Sequence, residues 1–362
     1  WRSVWHCVQY WCHMLSSKPS ALGVQENWPR QQKPLSLRKM MMIAIFKIIC
    51  GVFIIGFGCW GILAIFFKIK GLLGIFALMC WAIVSLTALY FLLSGTGGKI
   101  WPWAYLVVVV GSLSLWYQMP ARLDRNWVPE LVHTVTGTVD DRIVTLHNVR
   151  DFNWATGNEA WIDRRFDLDK LQGLDVILSY WGSPNIAHAI ISFRFDDVEP
   201  VAFSVEVRKQ VGDKYSPTSG FFKTYEQAFI AANESDIVAL RTNHRDPFED
   251  VYLYPLKTKL PEVEALFLGY VKRANVLAEN PAWYHTITAN CTTVVFDLVR
   301  SFRKDLKFDK RILMSGLLPD LFAERGVIDR AQPYGDYRAA AAITAKGQAM
   351  LPNDSYSTII RK

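Results

Sequence analysis

Hydrophobic residues are spread unevenly along this chain. Residues 43–67 read IAIFKIICGVFIIGFGCWGILAIFF, broken only by Lys47, and residues 72–93 and 101–117 carry no charge at all. Runs of about 20 apolar residues match the hydrocarbon thickness of a bilayer, and the third run is near the lower limit. Tryptophans and tyrosines at both ends of that run fit the two water interfaces. The pattern predicts an anchor over 43–118 with three transmembrane helices, at about 43–67, 72–93 and 101–117; a buried or interfacial helix is the alternative for the third. A cleaved signal peptide fits badly, because the first run is followed by Lys68 and a second apolar run rather than by a small-residue cleavage site.

From about residue 120 the pattern changes to short alternating or apolar runs. DDRIVTLHNVR (140–150), LDVILSYWG (174–182) and AHAIISFRF (187–195) read as strands, with Pro184 and Asn185 marking a turn between the last two. In VAFSVEVR (201–208) Val201, Phe203, Val205 and Val207 face one way, and Ala202, Ser204, Glu206 and Arg208 the other. Helices are predicted over 217–232, over 261–279 behind Pro261 and before Asn280-Pro281, after Cys291, and over 316–325. DIVALRTN (236–243) and EDVYLYPL (249–256) read as strands, and residues 331–362 as an irregular, peripheral extension. The class is α+β, a mainly antiparallel sheet with flanking helices, in one domain over 120–330.

Composition agrees with an anchored protein: 51% of the 362 residues are hydrophobic. Arg30, Lys33, Arg38, Lys39, Lys47 and Lys99 outnumber Lys68, Lys70, Arg122 and Arg125 on the opposite side, which favours an inside N-terminus. Three crossings then carry residues 120–362 out of the cytoplasm. The net charge of +7 comes from basic residues flanking the spans and from lysines and arginines interspersed with acids. No basic, aromatic-interleaved stripe of the nucleic-acid type is present, and an anionic bilayer is the natural partner. Residues 1–39 lack an initiator methionine and any sustained period, whereas Met40–Met42 stand directly before the first span; we read 1–39 as disordered or upstream sequence.

Cysteine usage then becomes informative. Cys50, Cys59 and Cys80 fall in the spans, Cys7 and Cys12 in the upstream segment, and Cys291 alone in the outer domain. Cys7 and Cys12 flank His6 and His13 without a closed zinc spacing, and no HExxH motif occurs, so neither metal nor cofactor is implied. Cys291 follows Asn290, a strong N-cap type, which predicts the cysteine at the first helical position, where free N–H groups favour a thiolate. The alternative is a small buried side chain beside Val294, Val295 and Phe296.

A thiolate enzyme also needs a base. The domain offers His133, His147, His188, His244 and His285. His188 opens a strand just after SYWGSPNIA, a placement active sites favour, although a satisfied core histidine reads equally from the pattern. Glu206 falls near it if the two strands pair about DDVEP, and would fix the imidazole tautomer. Ser204 is the alternative orienter, and a surface salt bridge to Arg208 or Arg194 the alternative use of Glu206.

VTLHNVRDFNW, LSYWGSPNIAHAIISF, VAFSVEVRK and YHTITANCTTVVFDLVR together resemble the bacterial family named for the N-terminal periplasmic domain of Lnb, a lipoprotein N-acylation protein, over about residues 120–330. That family is similar to permuted papain-like thiol hydrolases and acyltransferases, in which histidine precedes cysteine. The resemblance implies a bacterial inner-membrane protein with a periplasmic domain, Cys291 as nucleophile, His188 as base and Glu206 as third residue. The Cys291 backbone N–H, with Asn290, Tyr180 or Thr292, would stabilise the oxyanion or position substrate. The chain departs from full-length Lnb-type proteins in carrying its anchor before the domain. The function implied is a membrane-tethered cysteine-dependent acyl hydrolase or acyltransferase acting on a lipid, a lipidated protein or a peptidoglycan amide or ester. The competing reading is a non-catalytic periplasmic binding or assembly domain. The sequence carries no sign of oligomeric state.

Overall fold

The computed structural model describes residues 36–247, 249–328, 336–351 and 354–362. Most of the 1–39 segment lies outside the described residues; its last three residues are helical, because the first helix begins at Leu37. The chain divides between Met119 and Pro120 into two compact units.

The first unit holds three helices, α1 (Leu37–Lys68), α2 (Gly71–Ser94) and α3 (Trp101–Gln118). α1 and α2 pack closely where α1 carries glycines. A Cβ on Gly61 would lie 2.0 Å from the Trp81 ring, and Trp81 Nε1 donates to the Gly58 carbonyl at 2.9 Å. α3 adds Tyr105 and Val109 to a small core with Ile54, Phe57, Ala88 and Leu92. Their other faces leave large apolar side chains bare: Leu72 is 86% exposed and Val52 67%. In water such surface is costly, whereas lipid tails cover it. Among the described residues, α1 and α2 are long and apolar enough to span a membrane. The expected third span forms a helix but does not meet that test. Over its 18 residues, Trp, Pro, Tyr, Ser and Gln dilute a short Leu-Val centre.

The second unit is built on one eight-stranded sheet: β1 (Thr136–Asp140), β2 (Ile143–Arg150), β3 (Trp161–Asp167), β4 (Leu171–Tyr180), β5 (Ala187–Phe195), β6 (Val201–Arg208), β7 (Glu226–Asn233) and β8 (Asp250–Leu256). The order is β1-β2-β7-β6-β5-β4-β8, with β3 on β2. Pairing is antiparallel except between β2 and β7, where Arg150 lies beside Ala232 in parallel.

Both faces of the sheet are covered, so its strands do not follow a simple inside-outside alternation. One face packs Val201, Phe203, Phe193 and Phe229 against α5 (Leu260–Glu279) and α6 (Thr293–Phe302). α5 buries Val263, Leu266, Phe267, Tyr270, Val271, Ala274 and Leu277, a single stripe at helical spacing. Its Phe267 ring meets those of Phe166, Phe193, Phe195 and Phe203 at 5.0–5.9 Å. A phenylalanine buried this fully contributes about 1.5–3 kcal/mol. The opposite face carries Ile177, Ile190, Ala202, Ala228 and Ile230 under α4 (Glu234–Ile237) and the chain beyond residue 341.

Three sequence expectations are corrected here. Residues 217–232 do not form one helix; only Ser219–Phe221 makes a 3-10 turn, and the rest enters β7. Residues 236–243 are not a strand but the end of α4 and a π-helical turn, Leu240–His244. The region from 331 on is not peripheral where it is described. It forms α7 (Leu318–Glu324) just before it, then α8 (Asp336–Ala341), α9 (Thr344–Gln348) and α10 (Tyr356–Ile359), and it buries Ile343, Tyr356 and Ile360. The polar side of β6 is likewise buried, so Ser204 belongs to the interior and not to solvent.

Candidate functional site

The site is assembled at the end of β5 and β6. Their ladder runs from Phe193↔Val201 to Ile190↔Ser204 and stops there. Continuing the same register sets His188 opposite Glu206, on the side of the sheet that also carries Ser204. On the other flank of β5, His188 pairs with Ser179 of β4. Where the ladder has ended, the Ala189 N–H is donated to the Cys291 sulfur.

Cys291 reaches this point on a turn shaped by Asn290. The Asn290 Oδ1 accepts from the N–H groups of Thr292 at 3.0 Å and Thr293 at 2.8 Å. The Asn290 N–H is donated to Thr293 Oγ1 at 3.0 Å. The Thr292 hydroxyl ties the turn to the Ile312 carbonyl at 2.5 Å. Asn290 therefore caps as its residue type predicts, but α6 starts at Thr293 and Cys291 sits in the turn before it. The Asn290 amide is engaged with the Thr286 carbonyl at 2.7 Å, so both Asn290 and Thr292 have side chains committed to holding the turn.

His188 is 12% exposed and lies between two sets of partners. Nε2 is 2.6 Å from Ser204 Oγ and 3.1 Å from Glu206 Oε1. Ser204 donates its own proton to Glu206 at 2.7 Å, so its oxygen is left to accept from Nε2–H. That favours the proton on Nε2, and the Cys291 side chain is the imidazole's further charged neighbour. Ser204 and Glu206, alternatives in the sequence, act together in the structure.

Burial alone would lower the His188 pKa, but the Glu206 carboxylate and the Cys291 sulfur outweigh it and raise it to about 9. Burial alone would raise the Glu206 and Cys291 values; the facing imidazolium overrides it and holds both below their ordinary range. Burial and then the nearby Cys291 charge push up Tyr215, Tyr270 and Tyr284, which stay neutral.

The other candidates are engaged elsewhere. His133 stacks edge-on against Trp161 at 5.2 Å, and His147 Nδ1 meets Asp163 at 2.7 Å. His285 Nδ1 accepts from the Ile287 and Thr288 N–H groups at 3.3 and 3.2 Å. His244 closes the π-helical turn. Tyr180 lies one residue beyond Ser179, but its hydroxyl donates to the Gly316 carbonyl at 2.8 Å. It lines a cavity of about 350 Å³ with Ser183, Asp250, Tyr252, Tyr254 and Arg338. Among the described residues, no group of three or more His, Cys, Asp or Glu side chains is placed to hold a metal ion.

Sequence reasoning missed Arg241, whose Nη2 donates to Glu206 Oε1 at 3.1 Å. Its only sequence signal is an arginine inside an apolar run, and the segment was read as a strand. It also missed the Ala189 N–H, which no side-chain pattern could announce.

The family model for the Lnb N-terminal periplasmic domain matches residues 157–341, which include His188, Glu206, Arg241 and Cys291. No curated protein and no solved structure matches the chain.

Proposed function

Because the chain belongs to the Lnb N-terminal periplasmic domain family, we propose that it is a membrane-tethered periplasmic thiol enzyme, an acyl hydrolase or acyltransferase with Cys291 as nucleophile and His188 as base. The observation that carries the reading is the buried His188–Ser204–Glu206 chain, with Cys291 close enough to the imidazole that each shifts the other. Histidine on a strand, followed in sequence by cysteine at the head of a helix, is also the order of a permuted papain-like fold.

In the proposed reaction the Cys291 thiolate attacks an ester or amide carbonyl carbon. The new C–S bond forms as the carbonyl electrons move to oxygen, and the Cys291 N–H, at the head of its capped turn, donates to that oxyanion. Collapse expels the alcohol or amine, which takes its proton from His188, and leaves a thioester. Water or an acceptor amine then gives its proton to His188, attacks the thioester and releases the thiolate. A lipid, a lipidated protein or a peptidoglycan amide or ester suits a domain tethered beside a bilayer. An activated fatty-acyl ester is expected to leave one acyl group on Cys291, seen as a mass increase on its peptide and removed by hydroxylamine. Absence of that adduct in a folded protein that binds the ester would sink the reading. A non-catalytic binding domain is favoured only by the packing of Cys291 against the main core, and predicts no adduct.

We include α3 in the membrane as a third crossing. An inside N-terminus needs an odd number of crossings to deliver a periplasmic domain, and α3 packs Tyr105 against Phe57 of α1 with ring centroids 6.5 Å apart. A reporter inserted at 95–99 is expected to read as cytoplasmic, and one fused after Lys362 as periplasmic. A periplasmic signal from the 95–99 insertion would mean two crossings and an outside N-terminus.

A further inference from the structure

Behind His188 the buried polar groups continue as a ring. Glu206 Oε1, which faces the imidazole, also accepts from Arg241 Nη2 at 3.1 Å. Arg241 is 2% exposed, and its Nη1 donates to the Ile237 carbonyl at 2.6 Å. Its Nε lies 3.8 Å from Glu249 Oε2. Glu249 in turn holds Arg245 and the hydroxyl of Ser179, the residue beside His188 on β4. The carboxylate oxygen that accepts from Ser204 and faces the ring is thus also held by one N–H of a planar guanidinium fork whose other end is fixed on the Ile237 carbonyl.

The fork is itself held from outside. Arg241 belongs to the π-helical turn Leu240–His244, whose side chains and carbonyls take further partners. The residues after 341, past the end of the family match, supply them. Tyr356 Oη lies 2.8 Å from Thr242 Oγ1, Gln348 Nε2 donates to the Thr242 carbonyl at 2.8 Å, and Asn243 Nδ2 donates to the Gly347 carbonyl at 3.1 Å. The approach is close enough to need glycine: a Cβ on Gly347 would sit 2.9 Å from Thr242 Oγ1.

We propose that Arg241 is a positioning residue for the Cys291–His188 pair, holding Glu206 against the imidazole, and that the segment after residue 341 holds Arg241 in place. The proposal rests on the thiol-enzyme reading of the site. The charged and titratable groups around the pair are Glu206 from β6, Arg241, Arg245 and Glu249 from the π-helical turn and the segment after it, and Tyr215, Tyr270 and Tyr284 near the Cys291 charge. Of these, Glu206 alone both touches the imidazole and is touched by Arg241. Without Arg241 the carboxylate is free to turn away, the imidazolium loses its support, and the thiolate loses the imidazolium.

The test is the pH profile of Cys291 alkylation by iodoacetamide in the full-length chain, read on the Cys291 peptide, for wild type, Glu206→Gln, Arg241→Met and the double variant. Arg241→Met is expected to raise the thiol's apparent pKa in the same direction as Glu206→Gln. On the acid limb of the profile, below the pKa, its rate at a given pH should fall about tenfold, the change that a one-unit rise produces there. The double variant should be no slower than Glu206→Gln, because both act through one carboxylate. Arg241→Lys, which keeps the charge and loses the fork, should recover part of the rate. If Arg241→Met does not fold, Gly347→Ala moves the turn without removing a charge and should shift the profile the same way. A structural role alone would lower the melting temperature and leave the profile in place. A low wild-type pKa with unshifted Arg241→Met and Gly347→Ala profiles would overturn this proposal and spare the thiol-enzyme reading; an ordinary wild-type titration would overturn both.

Discussion

Cys291 is expected to alkylate at pH 7 roughly tenfold faster than an ordinary cysteine, and His188→Ala to abolish that advantage. An unperturbed thiol, with a pKa of about 8.5, is only a few per cent ionised at pH 7. The facing imidazolium holds the Cys291 value below its ordinary range, which raises the thiolate fraction at pH 7, although part of the gain is returned as weaker intrinsic nucleophilicity. The two shifts fix the shape of the profile. The thiol's value is lowered, so the thiolate is lost only as pH falls through that lowered value. The imidazole's is raised to about 9, so its positive charge is lost only as pH climbs through about 9. Between them the rate should be flat, where an ordinary cysteine's rate still rises. Replacing His188 removes the term that overcomes burial, and the half-buried thiol should then titrate in or above the ordinary range. Peptide-level mass spectrometry separates Cys291 from Cys50, Cys59 and Cys80 in the apolar helices. Cys291→Ser should erase the signal and keep the circular dichroism spectrum. A profile that His188→Ala leaves unchanged would return Cys291 to the core.

The largest expected loss of stability comes from Arg361→Met. Arg361 Nη2 is 2.7 Å from Asp175 Oδ2 and 2.6 Å from Glu234 Oε1, and both acidic side chains are fully buried. Arg194 meets Asp175 at 3.1 Å, and Ser192 donates to Glu234 at 2.5 Å. Removing the shared cation leaves buried negative charge, at a cost of about 3–5 kcal/mol. In a domain of this size that lowers the melting temperature by roughly 10 °C. The pH dependence has a definite sign. Burial already raises the Asp175 pKa above its ordinary value, against the pull of Arg361 and Arg194. Without Arg361 it rises further. A carboxyl whose folded value exceeds its unfolded value favours folding most below about pH 4, and that support is lost as pH rises through the folded value. The deficit of Arg361→Met against wild type should therefore be small in acid and full at neutral pH. Melting curves at both pH values measure it; a deficit independent of pH would show that packing, not charge, is what Arg361 supplies.

The elements that the sequence made legible are those whose pattern matches one face of burial. α5 shows its stripe, its proline start and its Asn280-Pro281 stop, and β4 to β6 show apolar runs between turn signals. His188 and Glu206 were placed together from the short DDVEP connection alone, because a hairpin fixes register. β7 was read as a helix because EQAFIAA is rich in alanine, glutamate and glutamine, residues of high helix propensity. It lies in the middle of the sheet with both faces covered, and there small side chains packed between layers override propensity. The same covering explains why Arg150, Asp236 and Arg241 gave no warning: the polar residues of a doubly covered sheet are satisfied by partners distant in sequence. Arg150 and Asp236, 2.8 Å apart, are separated by 86 residues. Resemblance supplied the role of Cys291, whereas its geometry rests on contacts from β5 that no local pattern encodes.

The Arg361 clamp also sets an order of events during synthesis. Asp175 lies in β4, one strand in from the β8 edge; Arg194 follows it by 19 residues, and its second cation, Arg361, by 186. Chains emerge N-terminus first. Asp175 of β4 and Glu234 of α4 thus lack the cation that they share until Arg361 has been made.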